Sequence, residues 1–193
     1  MTIGVIGAGA WGTALAQAMA SDGASDGSGV RIWAREPELV AEINAAHTNS
    51  LFLPGAALSD RIQATGSLAD LADCPVLLVV VPAQFLGAVL QGLPDGTRDL
   101  VLCAKGIEAG TGRLMADVAP DAVPGARLAV LSGPTFAHEV AAGLPTAVTL
   151  ACSGGEAQWA RLAPLIARPM LRPYYSDDVV GAEIGGAVKS VLA

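Results

Sequence analysis

Two lysines, one arginine and two glycine-bearing turns carry the chemistry that this sequence can perform. Gly7-Ala8-Gly9-Ala10-Trp11-Gly12 follows directly on an apolar run and opens an alanine-rich stretch. In that setting each glycine of the G-x-G-x-x-G pattern has a task. Gly7 permits a tight turn, Gly9 lets the backbone approach a pyrophosphate, and Gly12 lets a helix pack closely on the strand. The helix start adds amide donors and a partial positive charge for phosphates. The same string can also form a tight turn with no ligand.

Arg35 stands where the second apolar run ends, in Trp33-Ala34-Arg35-Glu36-Pro37. An acidic residue there binds a free ribose 2′-hydroxyl, whereas an arginine accommodates a 2′-phosphate. The expected cofactor is therefore NADP(H) in preference to NAD(H). Arg35 and Glu36 can instead form a solvated surface pair. Lys105 ends another buried run, at the edge where open α/β sheets bind ligands, and is placed to meet a phosphate or a carbonyl. It can equally be a surface lysine closing a strand.

Ser132-Gly133-Pro134-Thr135 also closes a run and leads into a helix start, where proline at a first helical position is at home. Amides there can bind an anion, though a plain helix start needs no ligand. Lys189 has apolar and small neighbours, with Gly185 and Gly186 just before it. A low-dielectric setting favours the neutral amine and suits general acid–base work. The alternative is a lysine that reaches past its apolar stem to water. His47 and His138 have no partner at metal-ligand or triad spacing and are assigned to structure. Cys74, Cys103 and Cys152 are odd in number and lack ligand spacing, so reduced buried thiols and no metal site are expected.

The elements that must position these residues alternate. Apolar runs at 2–6, 30–34, 62–65, 76–81, 100–104, 128–132, 147–152 and, more weakly, 170–175 read as strands. Helices are expected at 11–20, at 38–46 behind Pro37, briefly at 67–71, and at 84–90, 112–118, 136–142 and 156–166. Continuous apolar strands are those buried on both faces of a parallel sheet. The fold class is α/β, a Rossmann-type doubly wound, mostly parallel sheet with helices on both faces.

Residues 21–29 are low in complexity and read as an exposed flexible loop. The 193 residues suit one domain plus a fragment of another, and 52% hydrophobic content supplies a large core. A net charge of −7 without a basic run makes nucleic acid an unexpected partner. No apolar run is long enough to span a bilayer and no basic leader precedes it, so a cytoplasmic protein without membrane insertion is expected. Residues 179–193 run apolar and alanine-rich with no stop signal. The expected division is a dinucleotide-binding domain at 1–178 and, at 179–193, the start of a helix leading onward.

Further stretches narrow the class. They are His47-Thr48-Asn49-Ser50-Leu51-Phe52-Leu53-Pro54-Gly55, Val80-Val81-Pro82-Ala83-Gln84, Lys105-Gly106-Ile107-Glu108, Ser132-Gly133-Pro134-Thr135-Phe136-Ala137 and Gly185-Gly186-Ala187-Val188-Lys189. Their order and spacing resemble the N-terminal domain of bacterial-type NAD(P)-dependent glycerol-3-phosphate dehydrogenases over essentially the whole chain. The S-G-P-T-F-A and G-G-A-V-K stretches are the specific ones, whereas many dehydrogenases share the glycine pattern.

The resemblance implies reversible hydride transfer between a nicotinamide cofactor and dihydroxyacetone phosphate, giving sn-glycerol 3-phosphate for glycerophospholipid synthesis. It implies that Ala10 and Trp11 line the pyrophosphate turn, Ala10 replacing a serine common in the family. Arg35 would lie near the adenosine ribose, and Phe52, more often tyrosine, near the cofactor. Lys105 would contact cofactor and substrate, Gly133 and Thr135 the substrate, and Ala137 the cofactor. Lys189 would bind substrate and act as the catalytic proton donor and acceptor. A further, all-helical domain would complete the substrate site, so this chain alone is expected to bind dinucleotide without turnover. A homodimer is kept open as a partner. The rivals are another two-domain, lysine-dependent dehydrogenase of hydroxy acids or sugar acids, and a nucleotide-binding module without catalysis.

Overall fold

A computed structural model describes residues 2–21, 29–96 and 98–192, the side chains of 189–192 excepted. The loop expected to be flexible falls largely on 22–28, outside the described residues.

Eight strands form one sheet in the order β3-β2-β1-β4-β5-β6-β7-β8. They are β1 Ile3–Ile6, β2 Val30–Trp33, β3 Ile62–Thr65, β4 Val76–Val79, β5 Asp99–Leu102, β6 Arg127–Ser132, β7 Thr146–Cys152 and β8 Leu171–Ser176. The first six are mutually parallel, with β1 between β2 and β4. The strand order therefore reverses at β1, and a crevice opens beyond the carboxyl ends of β1 and β4.

The apolar runs are continuous because both faces are covered. Val76 and Leu78 join one core, together with α1 (Ala10–Ala20), α2 (Pro37–Ala46), α5 (Ala137–Ala141) and α6 (Gly155–Ile166). Leu77 and Val79 join the other, with α3 (Ala83–Leu90) and α4 (Met115–Ala122). Successive strand side chains point to opposite faces, so four apolar residues in a row serve two helical layers. Pro37 opens α2, as expected. α2 ends on His47 in the left-handed region at φ 50°. The three cysteines are buried and unpaired by disulfides, as expected.

Three elements depart from expectation. Helix α4 starts three residues late because Gly110 and Gly112 sit at φ 85° and 71°, conformations that turn the chain and cannot continue a right-handed helix. Helix α5 begins at Ala137, so Pro134 lies outside it and is not its first residue. Strand β7 runs antiparallel to β6 and β8 follows β7, because the chain returns through short α5 and makes no full crossover.

The last helix, α7 (Val179–Leu192), lies against β6, β7 and α4. Asp178 starts it, its Oδ1 accepting the Gly181 amide at 2.7 Å. No helix among the described residues is long and apolar enough to cross a membrane.

Candidate functional site

The turn after β1 is built by exclusion. Gly7 has φ 110°, and a Cβ on it would press on the Val80 and Val81 backbone at 3.2 Å. A Cβ on Gly12 would overlap the Gly7 carbonyl oxygen, so α1 can start this close to the strand only with glycine. Gly9 is different, because a Cβ there would meet nothing within 4 Å. That open space faces the start of α1, which has neither a side-chain cap nor an acidic residue in its first turn. The first amides of a helix lack internal partners, and here they are left for an anion.

A cavity of about 400 Å³ opens on this turn. It brings together Gly7, Gly9, Ala10, Trp11, Gly12, Arg35 and Phe52 from the expected set. Val81, Pro82 and Phe85 supply an apolar wall. Arg35 Nη2 donates to Glu36 Oε1 at 2.9 Å, so the surface pair foreseen for these residues forms inside the cavity lining. Trp33 is anchored through its indole N–H to the Gly66 carbonyl at 3.1 Å.

Asn49 braces the turn from behind, a role not visible in its motif. Wholly buried, it donates to the Ala8 carbonyl at 2.9 Å and to Thr13 Oγ1 at 2.8 Å, and its Oδ1 accepts the Phe52 amide at 3.0 Å. One amide side chain thus fixes both the glycine turn and the aromatic residue across from it. Its neighbours Thr48 and Ser50 are polar as well, so no signal in the sequence sets it apart.

Lys105, Gly133, Thr135 and Ala137 are outside this cavity's lining. Lys105 reaches its rim, with Nζ 5.9 Å from the centre of the Trp11 ring, a cation–π distance. The segment after Lys105 is held by Gln84, which donates to the Ile107 carbonyl at 2.9 Å and accepts the Ala109 amide at 2.8 Å. Gly133 lets β6 pass close to β7, because a Cβ would stand 3.1 Å from the Ala147 carbonyl oxygen. Thr135 is buried, and its amide donates back to the Gly133 carbonyl at 3.0 Å, which leaves one amide fewer for an anion than the expected helix start would. Ala137 opens α5 and packs on the α1-side core.

Lys189 lies in α7, and its side chain is outside the described residues. Gly186, one turn earlier, brings the helix against Ser132, where a Cβ would stand 2.9 Å from Oγ. Val188 is exposed, while the side chains of Val191 and Leu192 are not described.

Remaining candidates do not enter the site. His138 stacks near Phe136 at 5.9 Å, and His47 caps α2. Burial pushes the Cys74, Cys103 and Cys152 thiols up, away from reactive thiolate. No group of three metal-ligating side chains occurs among the described residues.

The strand order, the glycine turn and the crevice define a Rossmann-type dinucleotide-binding unit. The family model described as NAD-dependent glycerol-3-phosphate dehydrogenase N-terminus matches residues 2–158, and the chain belongs to this family. A relative from Erythrobacter litoralis, named glycerol-3-phosphate dehydrogenase, NAD(P)+, is 68% identical over 99% of this chain and 56% of its own length. One of the same name from Zymomonas mobilis is 50% identical over 99% of this chain and 54% of its own length. The crystal structure of glycerol-3-phosphate dehydrogenase from Coxiella burnetii superposes with a TM-score of 0.88 at 34% identity, over 99% of this chain and 58% of that one. The chain thus spans little more than half the length of these relatives.

Proposed function

We propose that the full-length protein interconverts dihydroxyacetone phosphate and sn-glycerol 3-phosphate with NAD(P)(H), and that this chain is its dinucleotide-binding part. The observation that carries the reading is the Gly7–Gly12 turn, uncapped and open at Gly9, facing a cavity with Arg35 in its lining and Lys105 at its rim. The relatives' shared name supports the substrate.

In this reading the first amides of α1 hold the pyrophosphate, and Phe52 and the apolar wall cover the cofactor. Arg35 meets a 2′-phosphate after leaving Glu36, so NADP(H) is preferred and NAD(H) accepted. The nicotinamide, when bound, gives or takes the hydride. Lys189 carries the proton. Its ammonium protonates the substrate oxygen as alkoxide develops, and its amine takes the proton back in oxidation. Lys105 places a positive charge against the substrate and the cofactor. Gly133 and Thr135 contact the substrate, and Ala137 the cofactor. The protein works in the cytoplasm, its product feeds glycerophospholipid synthesis, and a helical domain after residue 178 completes the site.

Turnover of dihydroxyacetone phosphate by the full-length protein, beside calorimetric NADPH binding by this chain, tests the reading. Reduction of the ketone by the former and binding alone by the latter are expected. A full-length protein that binds NADPH and leaves dihydroxyacetone phosphate untouched would overturn it.

A further inference from the structure

Glu183 is the single acidic residue of α7, and it is buried. Its Oε1 and Oε2 lie 3.1 and 3.3 Å from the amide nitrogen of Ala116 and accept its proton. Ala116 is the second residue of α4, whose own N-terminus carries no side-chain cap. An acid from 67 residues further along the chain therefore does what a neighbouring serine or aspartate does at most helix starts.

The position of this cap matters. The segment that enters α4 begins at Lys105 and is fixed at its middle by Gln84. Glu183 fixes its far end. From Glu183, α7 continues to Gly186, where it presses on Ser132 at the end of β6, and position 189 follows one turn later. One carboxylate therefore joins the Lys105 segment to the helix that carries Lys189.

Stability alone does not account for an acid at this place. Burial pushes the Glu183 carboxyl up, and the Ala116 amide only partly offsets this. Its hydrogen bonds among the described residues come from backbone amide and not from a basic side chain. A buried acid held by backbone amide is a costly way to pack two helices, since apolar residues of like volume do so as well or better.

We propose that Glu183 is a positioning residue that holds the Lys105 segment and the Lys189 helix in fixed relation. The proposal rests on the reading that both lysines serve the reaction. Misplacement by about 1 Å from a distant change costs about 10²-fold in rate, which sets the scale of the effect.

The test uses the full-length protein with Glu183→Met, of similar length but no acceptor, and Glu183→Gln, which keeps the acceptor. Glu183→Met is expected to lower kcat for dihydroxyacetone phosphate about tenfold to a hundredfold. Its NADPH affinity should be unchanged, and amide exchange should quicken at residues 105–116 and in α7 only. Glu183→Gln should restore most of the turnover and the exchange protection. A Glu183→Met protein with normal kcat and normal exchange overturns the proposal. So does one that loses cooperative melting or NADPH binding, because Glu183 would then be a folding residue. Lys105→Met and Lys189→Met, each made alone, test the underlying reading. If both keep full turnover, that reading fails, while the exchange data still decide whether Glu183 joins the two segments.

Discussion

The two ends of the parallel strands hold their buried acids in opposite ways. At the amino end, Asp99 opens β5 beside Arg127, its partner in register on β6. Arg127 donates through Nε and Nη2 at 3.1 and 2.8 Å, Gln158 at 3.0 Å and Arg161 at 3.3 Å. Burial pushes the Asp99 carboxyl up, but the Arg127 and Gln158 hydrogen bonds and the two guanidinium charges outweigh it and hold it below its usual range. At the carboxyl end, Glu183 has backbone amide instead, and burial prevails.

The amino end is closed with charge paired to charge, as suits a region that only has to stay folded. The carboxyl end places Arg35, paired with Glu36, in the cavity lining and Lys105 at its rim.

Four substitutions, ordered by expected effect, can break or sharpen this comparison. Lys189→Ala in the full-length protein should cut turnover by about 10²–10⁴-fold, the usual worth of acid–base catalysis, with melting temperature and NADPH binding unchanged. Near-normal turnover would mean that the lysine only reaches past its stem to solvent.

Asn49→Ala touches both sides of the comparison, since this residue is wholly buried and yet shapes the site. It should cost about 1–3 kcal/mol of stability, the scale of a buried polar group left unsatisfied, and weaken dinucleotide binding along with it. Chemical denaturation and calorimetry on the same sample would separate the two. Unaltered NADPH affinity would remove Asn49 from the site.

Asp99→Asn should lower stability by about 1–3 kcal/mol, less than a fully buried pair because Arg127 and Arg161 are partly screened by water. Its kcat and NADPH affinity should not change. The pH dependence has a definite sign. With the folded Asp99 pKa depressed, its stabilisation is present above the unfolded value of about 3.9 and is lost as pH falls through the folded one. Glu183 acts in reverse. Its folded pKa is raised, so its ionisation costs stability as pH rises from the ordinary carboxylate range to the folded value. Denaturation followed from pH 3 to 7 should show a shallower acid loss in Asp99→Asn. An unchanged acid limb would rule out the paired-charge account of the amino end.

Arg35→Ala should have the smallest effect, reducing the preference for NADPH over NADH by about tenfold, the worth of one charge-assisted bond. Equal binding of both cofactors by the unaltered chain would show that Glu36 keeps the arginine.

What could be read from the chain follows the range of the forces. Strand β3 and the helix behind Pro37 were legible because their signals lie within a few residues. The apolar run at 76–81 extends two residues beyond β4, since Val80 and Val81 share the same apolar character but leave the strand to cover Gly7. Phe52, Arg35 and the glycines, which line one cavity, were legible through their motifs. Asn49, Gln84 and Glu183 were not, because nothing near them in sequence shows what they touch.

The sequence by itself determined the glycine turn, the two-sided apolar strands and the alternation of strand and helix. Steric exclusion at Gly7 and Gly12 and the period-two burial of residues 76–79 are local, and any chain with that order of residues meets them. Only the tertiary structure decided that β7 turns antiparallel, that Asp99 finds Gln158 across 59 residues, and that Glu183 finds Ala116 across 67. Those partners are chosen when the sheet closes and water leaves. A buried acid must then take whichever donor the packing has brought beside it, a guanidinium at one end and a helix amide at the other.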